Sequence, residues 1–554
     1  MNTEVYCRVE QTEPGRNSCN SMTLPAKIWA RKDLALVAAG SLSCLSALYA
    51  KAAAMGKLHQ FSYCCISPLE YASGNSVLKI QEQLQRALDK KGCGGVILYA
   101  SCMEMLTGLD FTGVKAALWN PKGIPVEMFR RGPMVTRHEA PGENLKKIME
   151  AMPPEQTEME RTVDILPVPF PDAAAIARCL QSGRTYNFLM TAGGCGGCIP
   201  GEEGLDAYYL RKSRFHDLEA AGGCEEALQN SIFRDKQELG AGLPGCLMSS
   251  SVPRLLSIDG ECMAKELTRR GEEFWYLPSD NFHMAAEGLS KAILRLGKHL
   301  LKRESCNLIQ VNILGSHPLA AAKREHLEQG AALLEKKGFL PVFLDMEDWE
   351  SWEQAGFGAF NWVTSIEWLP LAKWMEEVWE VPWLCGFPVG AKAASYLMSA
   401  IEKKLMREKE QPGAPKEQTR EEKRIQALLL GEPVLTKGIS DYIEQEFGWK
   451  KSRRAVYAPL ASARRWYREH APGEFVFLTE HACLKELLAG AEVVLADARF
   501  ENAVKAIRPK IPFIPLAWPL ELSGRGDEKR PPELFGKAGA AWLKGQLDNC
   551  SLPP

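Results

Sequence analysis

Apolar positions in this chain alternate between two periods. Val77, Ile80, Leu84 and Leu88 fall at helical spacing, Gly92 supplies a stop, and the unbroken run Val96-Ile97-Leu98-Tyr99-Ala100 follows. A short run without polar interruptions predicts a strand covered on both faces. The theme recurs: Cys306 to Leu314 reads as a strand ending at Gly315, Leu327, Ala331 and Leu334 line a helix that stops at Gly338, and Phe339 to Leu344 reads as the next strand. Near the C-terminus, Phe475 to Leu478, a helix through Leu487, and Val493 to Ala496 repeat it. Such alternation predicts an α/β chain of several Rossmann-like domains with helix-covered parallel sheets.

Breaks in the pattern divide the chain. Residues 1–33 form a polar segment, 34–165 and 166–300 two α/β modules, 301–402 an α/β domain, and 426–554 a last α/β domain. Between the last two, residues 403–425 are dense in charge and carry Pro412, Gly413 and Pro415, the composition of a linker. The first two modules echo each other. Ser249 to Asp259 follows the string from Ser101 to Asp110, with Ser251 in the place of Cys102. Half of the fourteen tryptophans lie between Trp349 and Trp383, where core packing is the expected use.

At 554 residues the chain exceeds one core, and 46% hydrophobic with 25% charged residues describes a globular protein. A formal net charge of -2 excludes a general nucleic-acid or anionic-membrane binder. Residues 1–20 are polar, with Glu4, Glu10 and Glu13, and lack the apolar core of a signal peptide. A cytoplasmic location is the expectation, and there seventeen cysteines are not expected to pair as disulfides. Cys179, Cys262, Cys306, Cys385 and Cys483 are read as buried fillers.

Cys102 stands apart, because it directly follows a buried strand, where open α/β sheets keep their chemistry. Cys44 and the pair Cys64-Cys65 lie upstream, and Cys195-Gly196-Gly197-Cys198 sits in the second module. Thiolates suit iron–sulfur clusters because soft, charged sulfur stabilises iron. The Cys-x-x-Cys loop is open to zinc, a redox pair or a plain turn. Three buried core thiols is the competing reading for Cys44, Cys64 and Cys102. Glu104 and Asp110 are read as helix caps.

In sequence order, these strings resemble the nitrogenase component 1 family, which includes the molybdenum-iron protein subunits and light-independent protochlorophyllide reductase subunits. Cys102-Met103-Glu104 through Gly108-Leu109-Asp110 is similar to the family's cluster-cysteine segment, and His59-Gln60-Phe61-Ser62-Tyr63-Cys64 to its second cysteine turn, a spacing that favours Cys64 over Cys65. Cys44-Leu45-Ser46 resembles the first cysteine and its helix. Val311-Asn312-Ile313-Leu314-Gly315, Phe360-Asn361-Trp362-Val363 and Pro388-Val389-Gly390 extend the likeness over residues 34–520.

The resemblance implies α/β domains around a central cleft. It also implies an iron–sulfur cluster of 4Fe-4S type held by Cys44, Cys64 or Cys65, and Cys102, with Cys195 and Cys198 as further candidate metal ligands. At the two positions where molybdenum-iron subunits hold their large cofactor, this chain has Ser365 and Ala517. Neither is a soft iron ligand, so no molybdenum-iron cofactor and no dinitrogen reduction are expected. Ser365, Glu367, Ala517 and Trp518 would then border a cleft for an organic substrate. No Gly-x-x-x-x-Gly-Lys-Ser/Thr loop occurs. The resemblance therefore implies a separate P-loop iron–sulfur ATPase as electron donor, together with a second component 1-type subunit or self-association. The activity implied is that of the catalytic component of a two-component, ATP-dependent reductase. A non-catalytic scaffold for metallocofactor assembly is the alternative.

Overall fold

The computed structural model describes residues 23–132, 140–180, 185–192, 210–213, 223, 225–239, 242–304, 308–320, 324–346, 348–406, 425–516 and 534–550. These residues form seventeen strands in four all-parallel sheets. The first contains β1 (Leu34–Gly40), β2 (Phe61–Cys65), β3 (Gly95–Ala100) and β4 (Val126–Arg130), in the order β2-β1-β3-β4. The second contains β5 (Tyr186–Met190), β6 (Leu210–Lys212), β7 (Gly245–Ser249) and β8 (Phe274–Tyr276), in the order β6-β5-β7-β8. The third contains β9 (Gln310–Ser316), β10 (Leu340–Asp345), β11 (Phe360–Val363) and β12 (Trp383–Cys385), in the order β10-β9-β11-β12. The fourth contains β13 (Ala427–Leu430), β14 (Arg453–Tyr457), β15 (Val476–Leu478), β16 (Val493–Asp497) and β17 (Phe513–Leu516), in the order β15-β14-β13-β16-β17. The α/β reading holds throughout.

Each sheet starts at a central strand, winds one way, then reverses. That reversal opens a crevice at the carboxyl ends of the two strands flanking it. The central strands are apolar because helices cover both faces: every residue of β1, β3, β9 and β16 is buried.

The chain divides into two compact units, one through Gly288 and one from Leu289. The first two sheets belong to the former, the last two to the latter. Within the first unit the echo seen in the sequence is structural. Ser101 and Ser250 both precede a five-residue helix, Gly108 (φ 69) and Ser257 (φ 60) both turn left-handed, and Asp110 and Asp259 both cap the next helix. Asp110 accepts from Gly113 N–H, and Asp259 from Cys262 N–H, each at 3.0 Å. All these pairs keep one constant offset along the chain.

A buried ion pair holds the second sheet to its helix Glu225–Leu239. Arg211 Nε donates to Asp235 Oδ2 at 2.8 Å, its Nη2 donates to Oδ1, and Tyr186 O–H donates to Oδ2 at 2.5 Å. Trp352, Trp362 and Trp368 are fully buried, as core packing requires, whereas Trp374 and Trp379 pair edge-on at 4.9 Å and are half-buried. Cys262 is exposed, against expectation, because it lies in the first turn of the helix Gly260–Arg269, on its outer side. Cys385 and Cys483 are half-buried, Cys179 is buried, and Cys306 lies outside the described residues. Most of the expected linker, residues 407–424, also lies outside them.

Candidate functional site

Strand register brings the N-terminal thiols to one end of the first sheet. β1 pairs Ala39 with Cys64 and Gly40 with Cys65 on one side, and Ala39 with Ala100 on the other. The chain leaves β1 into the helix Leu42–Ala54, whose third residue is Cys44, and leaves β3 into the helix Cys102–Leu106. Cys44 and Cys102 therefore follow the two strands that flank the reversal point. Gly40 (φ 145) makes the approach possible: a β-carbon there would stand 2.9 Å from Ser101 Oγ and 3.9 Å from Cys44 Cβ.

Cys102 is held by a buried capping box. Ser101 Oγ accepts from Met103 N–H at 3.2 Å, while Glu104 Oε2 accepts from both the N–H and the hydroxyl of Ser101 at 2.7 Å. Tyr71 O–H adds a bond to Glu104 Oε1 at 2.5 Å. Glu104 is thus a cap, as expected, and a fully used one.

Cys64 and Cys65 point to opposite faces of their strand. Cys64 packs in the same core as Val37, Ala39, Ala100 and Cys102, and its thiol donates to Ala38 O at 3.6 Å. Cys65 ends the strand and is half-buried. Burial pushes the Cys64 thiol well up and the Cys65 thiol up to about 12. Both stay protonated unless a metal displaces the proton. No three described thiols bring their sulfurs within 4.8 Å of one another. A tetrahedral zinc, with Zn–S bonds of about 2.3 Å, needs sulfurs closer than that. Cys195 and Cys198 lie outside the described residues.

In the second unit, the matching crevices hold carboxyl groups. Ser365 and Glu367 follow β11, and Glu432 follows β13, all three buried. Ser365 O–H donates to Glu367 Oε2. Glu432 Oε1 accepts from Ile366 N–H at 3.0 Å and its Oε2 from Leu435 N–H at 2.6 Å, tying the turn after β11 to the helix Pro433–Phe447. Burial and the facing Glu367 push Glu432 up to about 8, and burial raises Glu367 as well. The pair keeps a proton at neutral pH. Burial also pushes His317, after β9, down to about 3; Nδ1 accepts from Leu319 N–H, so the neutral ring carries its proton on Nε2. Ala517 and Trp518 lie outside the described residues.

The raised carboxyl has a measurable cost. Native Glu432 holds a proton that the unfolded chain, near pKa 4.5, releases. Stability should therefore fall as pH rises from about 4.5 to about 8, then level off. Glu367→Gln removes the facing charge, so its denaturation midpoints across that window should fall less steeply than the wild type's.

The motifs Val311–Gly315 and Phe360–Val363 meet on neighbouring strands. Asn312 pairs with Asn361 in register, and Asn312 Nδ2 donates to Asn361 Oδ1 at 2.9 Å, with both side chains fully buried. A β-carbon on Gly315 (φ 157) would come within 1.8 Å of Thr364 Oγ1.

Residues 215–436, which include both motifs, Ser365, Glu367 and Glu432, match a family model described as nitrogenase component 1 type oxidoreductase. Over this stretch the chain is similar to that family. No curated protein matches the chain. A solved structure titled "Nitrogenase Cp1 at pH 6.5" covers 72% of this chain and 96% of its own, with a TM-score of 0.52 and 14% identity. At that identity the likeness is one of fold. A second, "Nitrogenase Cp1 at pH 5", gives a TM-score of 0.46 at 12% identity, covering 70% of this chain and 88% of its own. Cys44, Cys64, Cys65 and Cys102 precede the family-matched stretch. Among the described residues no helix is long and apolar enough to cross a membrane.

Proposed function

We propose that this chain is the catalytic component of a two-component, ATP-dependent reductase. In this reading it receives low-potential electrons from a separate P-loop iron–sulfur ATPase and delivers them to an organic substrate other than dinitrogen. One observation carries it: three thiol-bearing segments, far apart in sequence, end at the same edge of the first sheet. Cys44, Cys102 and one of Cys64 and Cys65 would hold an iron–sulfur cluster of 4Fe-4S type, with its fourth ligand from a second subunit or from the Cys195/Cys198 loop. Bound there, the cluster would supply one-electron storage through soft iron–thiolate bonding.

The chain's own residues have distinct tasks. Ser101, Glu104 and Tyr71 fix Cys102 through buried hydrogen bonds. Ser365 and Glu367 would border the substrate space, and the Glu367/Glu432 pair holds a proton beside it, as reduction of an organic group requires. Spacing from His59 favours Cys64 as the third ligand. Cys64 also shares the buried core of Cys102, whereas Cys65 ends the strand on its other face.

Anaerobic purification followed by iron and sulfide analysis tests the reading. Wild-type chain should carry both in equal amounts, and Cys102→Ala should lose most of them while keeping its fold by circular dichroism. Cys64→Ala should cost more iron than Cys65→Ala. Iron-free wild type, or a Cys102→Ala variant with unchanged iron, would sink the proposal. Turnover with a cognate reductase, ATP and candidate substrates then separates catalysis from scaffolding.

A further inference from the structure

Asp172, Asp280 and His283, in the first unit, can each turn one ligand atom to within 4.8 Å of the other two. Asp172 opens the helix Asp172–Cys179, and the other two follow β8. Asp172 Oδ1 accepts from the N–H groups of Ala173 and Asn281, both at 2.7 Å, and Oδ2 from Asp280 N–H at 3.1 Å. Asp280 Oδ1 accepts from Phe282 N–H at 2.9 Å and lies 2.7 Å from His283 Nδ1. On the far side of the ring, Glu287 Oε1 is 3.6 Å from Nε2.

Three carboxylates, each less than a tenth exposed, thus surround one imidazole. Arg254 Nε stands 3.9 Å from Asp280 Oδ2, but that side chain is 60% exposed and screened by water. Tyr276, whose phenol also faces the two aspartates, brings no positive charge. Surplus buried negative charge is costly, and a proton or a cation must balance it.

A second observation points to a cation. Asn281, left-handed at φ 59, belongs to this cluster through its N–H bond to Asp172, and its side-chain oxygen is buried without a hydrogen-bond partner among the described residues. Amide carbonyls of this kind are ordinary metal ligands.

We propose that Asp172, Asp280 and His283 hold one divalent transition-metal ion, with the side-chain oxygen of Asn281 as a further ligand. An imidazole among hard oxygens selects the manganese, iron and zinc class over calcium or magnesium. The ion has a structural consequence. Asn281 O accepts from Leu42 N–H at 3.1 Å, the first turn of the helix that bears Cys44. Fixing the 280–283 turn steadies that helix end.

Manganese(II), which avoids thiolate sites, is the probe. Full-length chain stripped with chelator is titrated with Mn²⁺, free ion is read by electron paramagnetic resonance, and melting is followed in parallel. The wild type should bind one ion per chain with a raised Tm. Asp280→Asn and His283→Ala should bind at least about tenfold more weakly, and Cys102→Ala should bind as wild type. Absence of saturable binding in the wild type overturns the site whatever the variants do. Equal binding in both ligand variants, or loss of binding in Cys102→Ala, overturns it too.

Discussion

Gly132→Ala should strip the protein of iron without unfolding it. A β-carbon at that position would stand 2.1 Å from Cys102 Sγ and 3.0 Å from Cys102 N. Neither atom can retreat cheaply, since the capping box of Ser101 and Glu104, braced by Tyr71, holds the turn from inside the core. Gly132 also lies at φ 138, where an L-residue adds strain of about 1–3 kcal/mol. The sulfur must move, and a cluster ligand displaced by even part of an ångström loses its bond. Iron content should fall at least about tenfold, in line with what disturbing a ligand's support costs. Gly123→Ala is the control: it too has a positive φ, of 63, but nothing lies within 4 Å of the added carbon. That variant should bear strain and keep its iron. Equal iron in wild type and Gly132→Ala would remove Cys102 from the ligand set.

The largest loss of stability is expected from Arg211→Ala. Its guanidinium makes two bonds to Asp235, and both side chains are about a tenth exposed or less. Truncation leaves the Asp235 carboxylate buried, with only Tyr186 O–H still donating to it. Breaking a buried pair in this way costs about 3–5 kcal/mol, because the remaining charge can no longer be hydrated or neutralised. Urea denaturation followed by far-ultraviolet circular dichroism would show the shift in midpoint. Lys451→Ala breaks the exposed pair with Glu474 and should leave the midpoint in place. A shift in Arg211→Ala no larger than in Lys451→Ala would show that the second sheet does not depend on this pair.

Much of the architecture was legible in the chain. Val96–Ala100, Phe339–Leu344 and Val493–Ala496 read as strands, and β3, β10 and β16 occupy those places within one or two residues. The Ser101 and Ser250 strings announced a repeat, and the two modules share strand order, left-handed turns and caps. Both readings succeed for one reason: strand burial and helix capping are set by residues within a few positions of each other.

What the sequence by itself determined was therefore local: which segments are strands, where helices begin, and which thiols stand at strand ends. Only the tertiary structure decided which of those ends meet. Strand order puts β1 between β2 and β3, so the strand ends beside Cys44, Cys65 and Cys102 lie at one edge of the sheet, and strand alternation turns Cys64 into the core that also holds Cys102. It also sets Asp172 against Asp280, and Glu432 behind Ile366, pairs with no periodic relation along the chain. Hydrophobic period records which face of an element is buried. The partner buried against it depends on how sheets wind, and that follows from the chirality and packing of the whole fold.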